Sequence, residues 1–151
     1  MLMTNHLDIA TYLAITELKA RYCRMLDTKD WAGFAQVFTE DFELDTRPSG
    51  GALTHGRDAA LKVVRAAIET AITAHQVHSP EIRLDGDTAH VIWAMQDRVL
   101  FDKGSRFDKS VSGLTGYGHY HERYVRQNGQ WRIQASRLTR LHMDFTRDTP
   151  A

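Results

Sequence analysis

Three side chains in this sequence suit acid–base chemistry: Asp27, His75 and Asp97. Asp27 falls at the C-terminal end of a helical stretch, where the helix dipole is negative and disfavours a carboxylate. It is either a turn residue that ends the helix or one held there for a reason. His75 lies between a helix and a strand, and an imidazole there can move a proton either way near neutral pH. Asp97 shares strand parity with Ala89, Val91, Trp93 and Met95. A carboxylate on an apolar face is buried with a partner, lines a cavity, or marks where the strand emerges into solvent. Tyr22 points with the core residues of its helix, as a packed aromatic or as a hydroxyl donor. Arg137 and Arg140 are an odd number of residues apart in the last strand, so only one should reach a cavity. Trp31, Phe34, Trp93 and Met95 fit either a core or the lining for a flat ring.

Other polar residues carry weaker signals. His75 and His78 suggest metal, but no convincing third ligand lies nearby, so no metal is expected. Within His119-Tyr120-His121-Glu122 the two histidines share a face, and the cluster reads as sheet surface or a subunit contact. Cys23, the single cysteine, reads as a small buried hydrophobe in a helix.

The elements that must position these residues follow from periodicity. Ile9 to Leu26 reads as a helix with Ile15, Leu18, Tyr22 and Met25 inward and Glu17, Lys19, Arg21 and Arg24 mostly outward. Asp30 caps a short helix from Trp31 to about Phe38. Phe42 to Asp45 alternates like a strand, and Arg47 to Gly51 is a loop. A third helix spans about Arg57 to Ile72. The period then changes to two. Strands are expected at Gln76 to Leu84, through Ala89 to Asp97, at Leu114 to Arg126, and from Trp131 to about Met143. Asp85-Gly86-Asp87 and Asn128-Gly129 form the turns, and Phe101 to Gly113 is a polar loop. Helices first and hairpin-linked strands second give an α+β fold, with helices covering one face of a mainly antiparallel sheet.

Composition narrows the function. The 151 residues suit one domain spanning 1–151, with hydrophobic residues at 42% and charged residues at 25%. Lys plus Arg equals Asp plus Glu, at 19 each. Such a balance offers no cationic face for a phosphate backbone, so nucleic acid is excluded as a partner. Met1 to Ala10 lacks a basic segment followed by an apolar run, so no signal peptide is expected. No apolar stretch approaches the ~20 residues that span a bilayer. One cysteine suits a reducing compartment, and a cytoplasmic protein without a membrane partner is expected.

Several segments, in order along nearly the whole chain, resemble the nuclear transport factor 2-like superfamily, and within it the SnoaL-like branch. They are Leu18 to Trp31, Val37 to Phe42, Ala74 to His78, Gly116 to Tyr120 and Asn128 to Ile133. The resemblance implies a cone-shaped α+β barrel with a deep pocket, assembled as a homodimer or homotrimer. Members catalyse dehydration, dehydrochlorination, epoxide hydrolysis, isomerisation and cyclisation, and some are non-catalytic, so the fold by itself assigns no reaction. Asp27 and His75 match an Asp and a His shared by scytalone dehydratase, bile acid dehydratase and the dehydrochlorinase. Tyr22 and Asp97 match a Tyr and a further Asp of the bile acid enzyme, and its late Arg falls near Arg137 or Arg140. Scytalone dehydratase has a second His near position 97, where this chain has Asp. The Asp-Arg-Asp arrangement of limonene epoxide hydrolase is not recognisable.

Together these imply a cofactor-independent lyase acting on a cyclic or aromatic small molecule. His75 is the base, Asp27 its orienting carboxylate, Tyr22 the donor to a developing enolate, and Asp97 a second acid or base. Arg137 or Arg140, with Trp31, Trp93 and Met95, would bind substrate. An isomerase or cyclase uses the same proton-moving residues, and a binding or accessory subunit is the non-catalytic alternative.

Overall fold

In a computed structural model of the chain, residues 7–105 and 108–148 are described. Part of the loop expected at 101–113, and the first six residues of the segment read for a signal peptide, lie outside them. Asp8 caps α1 (Ile9–Asp27) by accepting from the Thr11 amide at 2.8 Å. Asp30 caps α2 (Trp31–Ala35) in the same way through the Gly33 amide. The strands are β1 (Phe38–Asp45), β2 (Leu53–His55), β3 (Ile72–Val77), β4 (Glu81–Asp85), β5 (Thr88–Leu100), β6 (Val111–Gln127) and β7 (Gln130–Arg147), with α3 (Arg57–Ile68) before β3. A single 3-10 turn covers Arg47–Ser49.

The sheet runs β2-β1-β7-β6-β5-β3, and β4 also pairs with β5. Among the described residues, only the β1–β7 pairing is parallel. Register shifts interrupt β6–β7 at three places, and such irregularities bend a sheet. The helices pack on the curved sheet as expected for an α+β cone. α1 sends Ile15, Leu18, Tyr22 and Leu26 into the core against Val91, Trp93 and Met95 of β5 and Tyr120 and Tyr124 of β6. Rings at Tyr22, Phe34, Phe38 and Phe42 stack edgewise or tilted, with successive centroids 4.2–5.0 Å apart.

Several sequence expectations are corrected. The second helix stops at Ala35, because Phe38 is drawn into the sheet opposite Ile133. The third helix stops at Ile68, because Ile72 pairs with Leu100. The strand expected at Gln76 to Leu84 is two strands. Pro80 has no amide hydrogen to donate, and the chain breaks at His78-Ser79-Pro80 before resuming beside β5. His75 therefore lies inside β3. Lys19 and Glu122, read as outward-facing, are both fully buried: Lys19 Nζ donates to Glu122 Oε1 at 2.7 Å. Glu122 also accepts from Tyr124 and Ser136, while the ammonium sits 3.7 and 3.9 Å from the ring centres of Tyr22 and Tyr120. Buried charge is tolerable only when paired and hydrogen-bonded in this way. Among the described residues, no helix is long and apolar enough to cross a membrane.

Candidate active site

Asp27 is the last residue of α1, and β3 starts beside it. Its Oδ1 accepts from Thr73 Oγ1 at 2.8 Å and from His75 Nδ1 at 2.7 Å. Its Oδ2 accepts from the His75 backbone amide at 2.8 Å. An ionised carboxylate only accepts, so Nδ1 carries a proton, and in the neutral imidazole Nε2 then presents its lone pair. Burial acts to raise the Asp27 pKa, but the hydrogen bonds from His75 and Thr73 outweigh it and hold the carboxyl below its ordinary value. A helix C-terminus is a poor place for an isolated anion; three donors from one strand make it a good place for this one.

Strand register brings in the next group. His75 pairs directly with Asp97 on β5, so their side chains share a face. His75 Nε2 lies 4.0 Å from Asp97 Oδ2, close enough for charge attraction but too far for a hydrogen bond. Arg140 of β7 binds both oxygens of Asp97, at 2.6 and 2.7 Å. This fork-to-fork pair crosses β6 at Gly116, where a Cβ would fall onto Arg140 Nη1 and Asp97 Oδ1. The side chains are 8% exposed at His75, 21% at Asp27 and 6% at Asp97.

Among the expected site residues, Asp27, His75, Asp97 and Arg140 are thus together. Tyr22 is buried on the same side of the sheet, its ring 5.9 Å from that of Tyr120. Burial pushes both phenols up, so both hydroxyls keep their protons. Met95 Sδ lies 3.6 Å from Arg140 Nη1. Trp93 is core, donating from Nε1 to the Tyr124 hydroxyl at 3.1 Å. Arg137 points to the opposite face, largely exposed, 3.7 Å from Asp45. Trp31 packs edge-on to Phe34 and beneath the Arg65 guanidinium of α3.

Sequence reasoning missed Thr73, Lys29 and Gly116. Thr73 shares His75's parity, a signal hidden by placing the strand's start at 76. Among the described residues, no cluster of His, Cys, Asp and Glu is placed to hold a metal ion.

The apolar surface next to the dyad is set by the same register. His75, Asp97, Gly116 and Met143 form one cross-strand row, and Thr73, Val99, Leu114 and Phe145 form the next. Phe145 is 49% exposed although its row continues the inner face, so the sheet extends beyond its helical cover there. A cleft of about 360 Å³ lies elsewhere, between α1 and the β6–β7 turn, lined by Leu18, Arg21, Met25, Trp131 and Arg132 among others. It includes none of the dyad residues.

A family model for the SnoaL-like domain matches residues 8–137. A probable cyclase, FGR4, from Gibberella zeae is 25% identical over 138 residues, covering 85% of this chain and 89% of that protein. Rv3472 from Mycobacterium tuberculosis, a protein of unknown function, is 30% identical with a TM-score of 0.73, covering 88% of this chain and 77% of that one. A putative scytalone dehydratase from Novosphingobium aromaticivorans shares the fold, with a TM-score of 0.76 at 22% identity over 95% of this chain and 92% of that one.

Proposed function

The chain belongs to the SnoaL-like domain family, and on that premise we propose that it is a cofactor-independent lyase that eliminates water from a cyclic, largely apolar small molecule. The observation that carries this reading is the His75 imidazole, held through Nδ1 by Asp27 at 2.7 Å and with no hydrogen-bond partner at Nε2 among the described residues. An imidazole held on one side by a carboxylate, with its other nitrogen open, is built to take a proton.

The electrons balance as follows. Nε2 removes a proton from the carbon next to a carbonyl, and the C–H pair moves into an enolate. The enolate re-forms its carbonyl and expels the β-hydroxyl, which leaves as water after taking the proton back from His75. Asp27 and Asp97 flank the imidazolium between these steps and stabilise it. Tyr22 is the proposed donor to the enolate oxygen. Both oxygens of Asp97 are engaged by Arg140, so Asp97 serves here as one half of an ion pair beside the imidazole. Arg140, not Arg137, faces this site. Acid–base chemistry of this kind supplies roughly 10²–10⁴-fold, and substrate positioning supplies the remainder. The inner-face surface of Leu114, Met143 and Phe145 suits an apolar ring. Assembly as a homodimer or homotrimer belongs to the same proposal.

The test is turnover of a panel of cyclic β-hydroxy ketones by wild type and His75→Gln, followed by product mass. Loss of one water that depends on His75 supports the lyase. A product of unchanged formula supports the second reading, an isomerase or cyclase, which the similarity to a probable cyclase favours. Equal turnover by both proteins removes His75 from the mechanism. Tight ligand binding without turnover identifies a binding module.

A further inference from the structure

We propose that Lys29 and Thr73 are positioning residues behind the dyad, Lys29 supplying the charge that keeps His75 in its neutral, proton-accepting form. The inference rests on the reading of His75 as the base.

The α1 C-terminus closes in a Schellman arrangement: the Asp30 amide donates to the Met25 carbonyl at 2.9 Å, and the Lys29 amide donates to the Leu26 carbonyl at 3.2 Å. The residue at the left-handed position of this motif is usually glycine. Here it is Lys29, at φ 61°. An L-residue is strained there where glycine is not. Such strain at a non-glycine residue points to a role for its side chain. That side chain turns back over the helix end, and Nζ donates to Thr73 Oγ1 at 2.8 Å and more weakly to the Leu26 carbonyl at 3.4 Å.

Donor arithmetic fixes the direction of the relay. An ammonium only donates, so the Thr73 oxygen accepts from Lys29 and gives its own proton to Asp27 Oδ1, 2.8 Å away. That oxygen also accepts from His75 Nδ1. Lys29 and Thr73 therefore donate in sequence towards Asp27, and His75 donates to the same carboxylate oxygen from the other side, so the two arms converge on Asp27 Oδ1.

Charge balance gives the consequence. The charged groups facing the dyad are Lys29 from the α1–α2 turn, Asp97 from β5 and Arg140 from β7. Cys23 of α1, pushed up to about 11 by burial, and the phenols of Tyr22 and Tyr120 are uncharged. Lys19 and Glu122 cancel each other deeper in the core. With Lys29 present, two carboxylates face two cations and the cluster is neutral when His75 is neutral. Without Lys29 the cluster carries a net negative charge, which favours the imidazolium and removes the base at a pH where it is needed.

The experiment reads the His75 titration midpoint by NMR of ¹⁵N-histidine-labelled protein, with the His75 signals assigned by their loss in His75→Gln. Lys29→Gly keeps the turn and relieves its strain, so the variant should melt at the same or a higher temperature. Its His75 midpoint should rise by about half a pH unit or more, the scale on which a nearby charge acts through partial screening. Lys29→Arg should retain the wild-type midpoint. In turnover assays the acid limb of kcat/KM should move up in parallel, with little change in KM. An unchanged His75 midpoint in Lys29→Gly overturns the proposal and leaves Lys29 as a helix cap. Absence of His75-dependent turnover in the wild type overturns the enzymatic reading instead, and the NMR arm still decides whether Lys29 tunes His75.

Discussion

Replacing Lys19 by Met should expose how much of the fold depends on one desolvated charge pair. Lys19 and Glu122 are both fully buried, with 2.7 Å between Nζ and Oε1. Met preserves the stem and can pack its sulfur between the rings of Tyr22 and Tyr120, so the cavity contribution is small. The Glu122 carboxylate would keep its donors Tyr124 Oη, at 2.8 Å, and Ser136 Oγ, at 3.0 Å. It would lose its countercharge, and removing one member of a buried pair costs about 3–5 kcal/mol. For a domain of ordinary stability that is about a fifth or more of the total. Urea unfolding at pH 7 measures it as a fall in midpoint at constant m. Adding Glu122→Gln, which removes the charge, accepts from one of the two hydroxyls and offers an NH2 to the other, should restore at least half of the loss. A single-variant cost below about 1 kcal/mol, or no recovery in the double variant, would refute the view that countercharge is what Lys19 supplies.

Other outcomes follow from the same geometry. Gly116→Ala places a methyl where the Arg140–Asp97 pair crosses β6; the expected cost is about 1–3 kcal/mol, with turnover reduced, read by unfolding and by kcat. Asp97→Asn leaves Arg140 half-buried without its ionic partner, and stability measured at pH 7 should fall. Asp27 has its carboxyl held below the ordinary 3.8 by its hydrogen bonds, and Asp45, beside Arg47, is lowered to about 2. For a depressed folded-state pKa, the stabilisation is present above the unfolded value and lost as pH falls through the folded one. These groups should therefore leave unfolding midpoints unchanged above about pH 5 and lower them progressively below it, down towards about pH 2. Asp27→Asn should flatten part of that fall.

Much of this protein was legible in its residues. Periodicity located α1, α3 and the long strands, because those patterns record which face is buried. Strand parity put Asp97 on the face of Ala89, Val91, Trp93 and Met95 and put Arg137 and Arg140 on opposite faces; the structure then buries Asp97, pairs Arg140 with it and leaves Arg137 largely exposed. Residue type and position singled out Asp27 and His75, resemblance to a family joined them, and the fold brings them to 2.7 Å. Three things needed the tertiary structure. Pairing with β5 decided where β3 begins, and so put Thr73 beside Asp27. The left-handed turn at Lys29 decided where an ordinary-looking surface lysine points, since nothing in residue type separates a cap from a relay. Lys19 sits among outward-facing charges on α1, and its helical position could not reveal Glu122, over a hundred residues away. A charge's sequence neighbours say which face it occupies; whether that face meets water or a buried partner is settled only when the sheet closes around it.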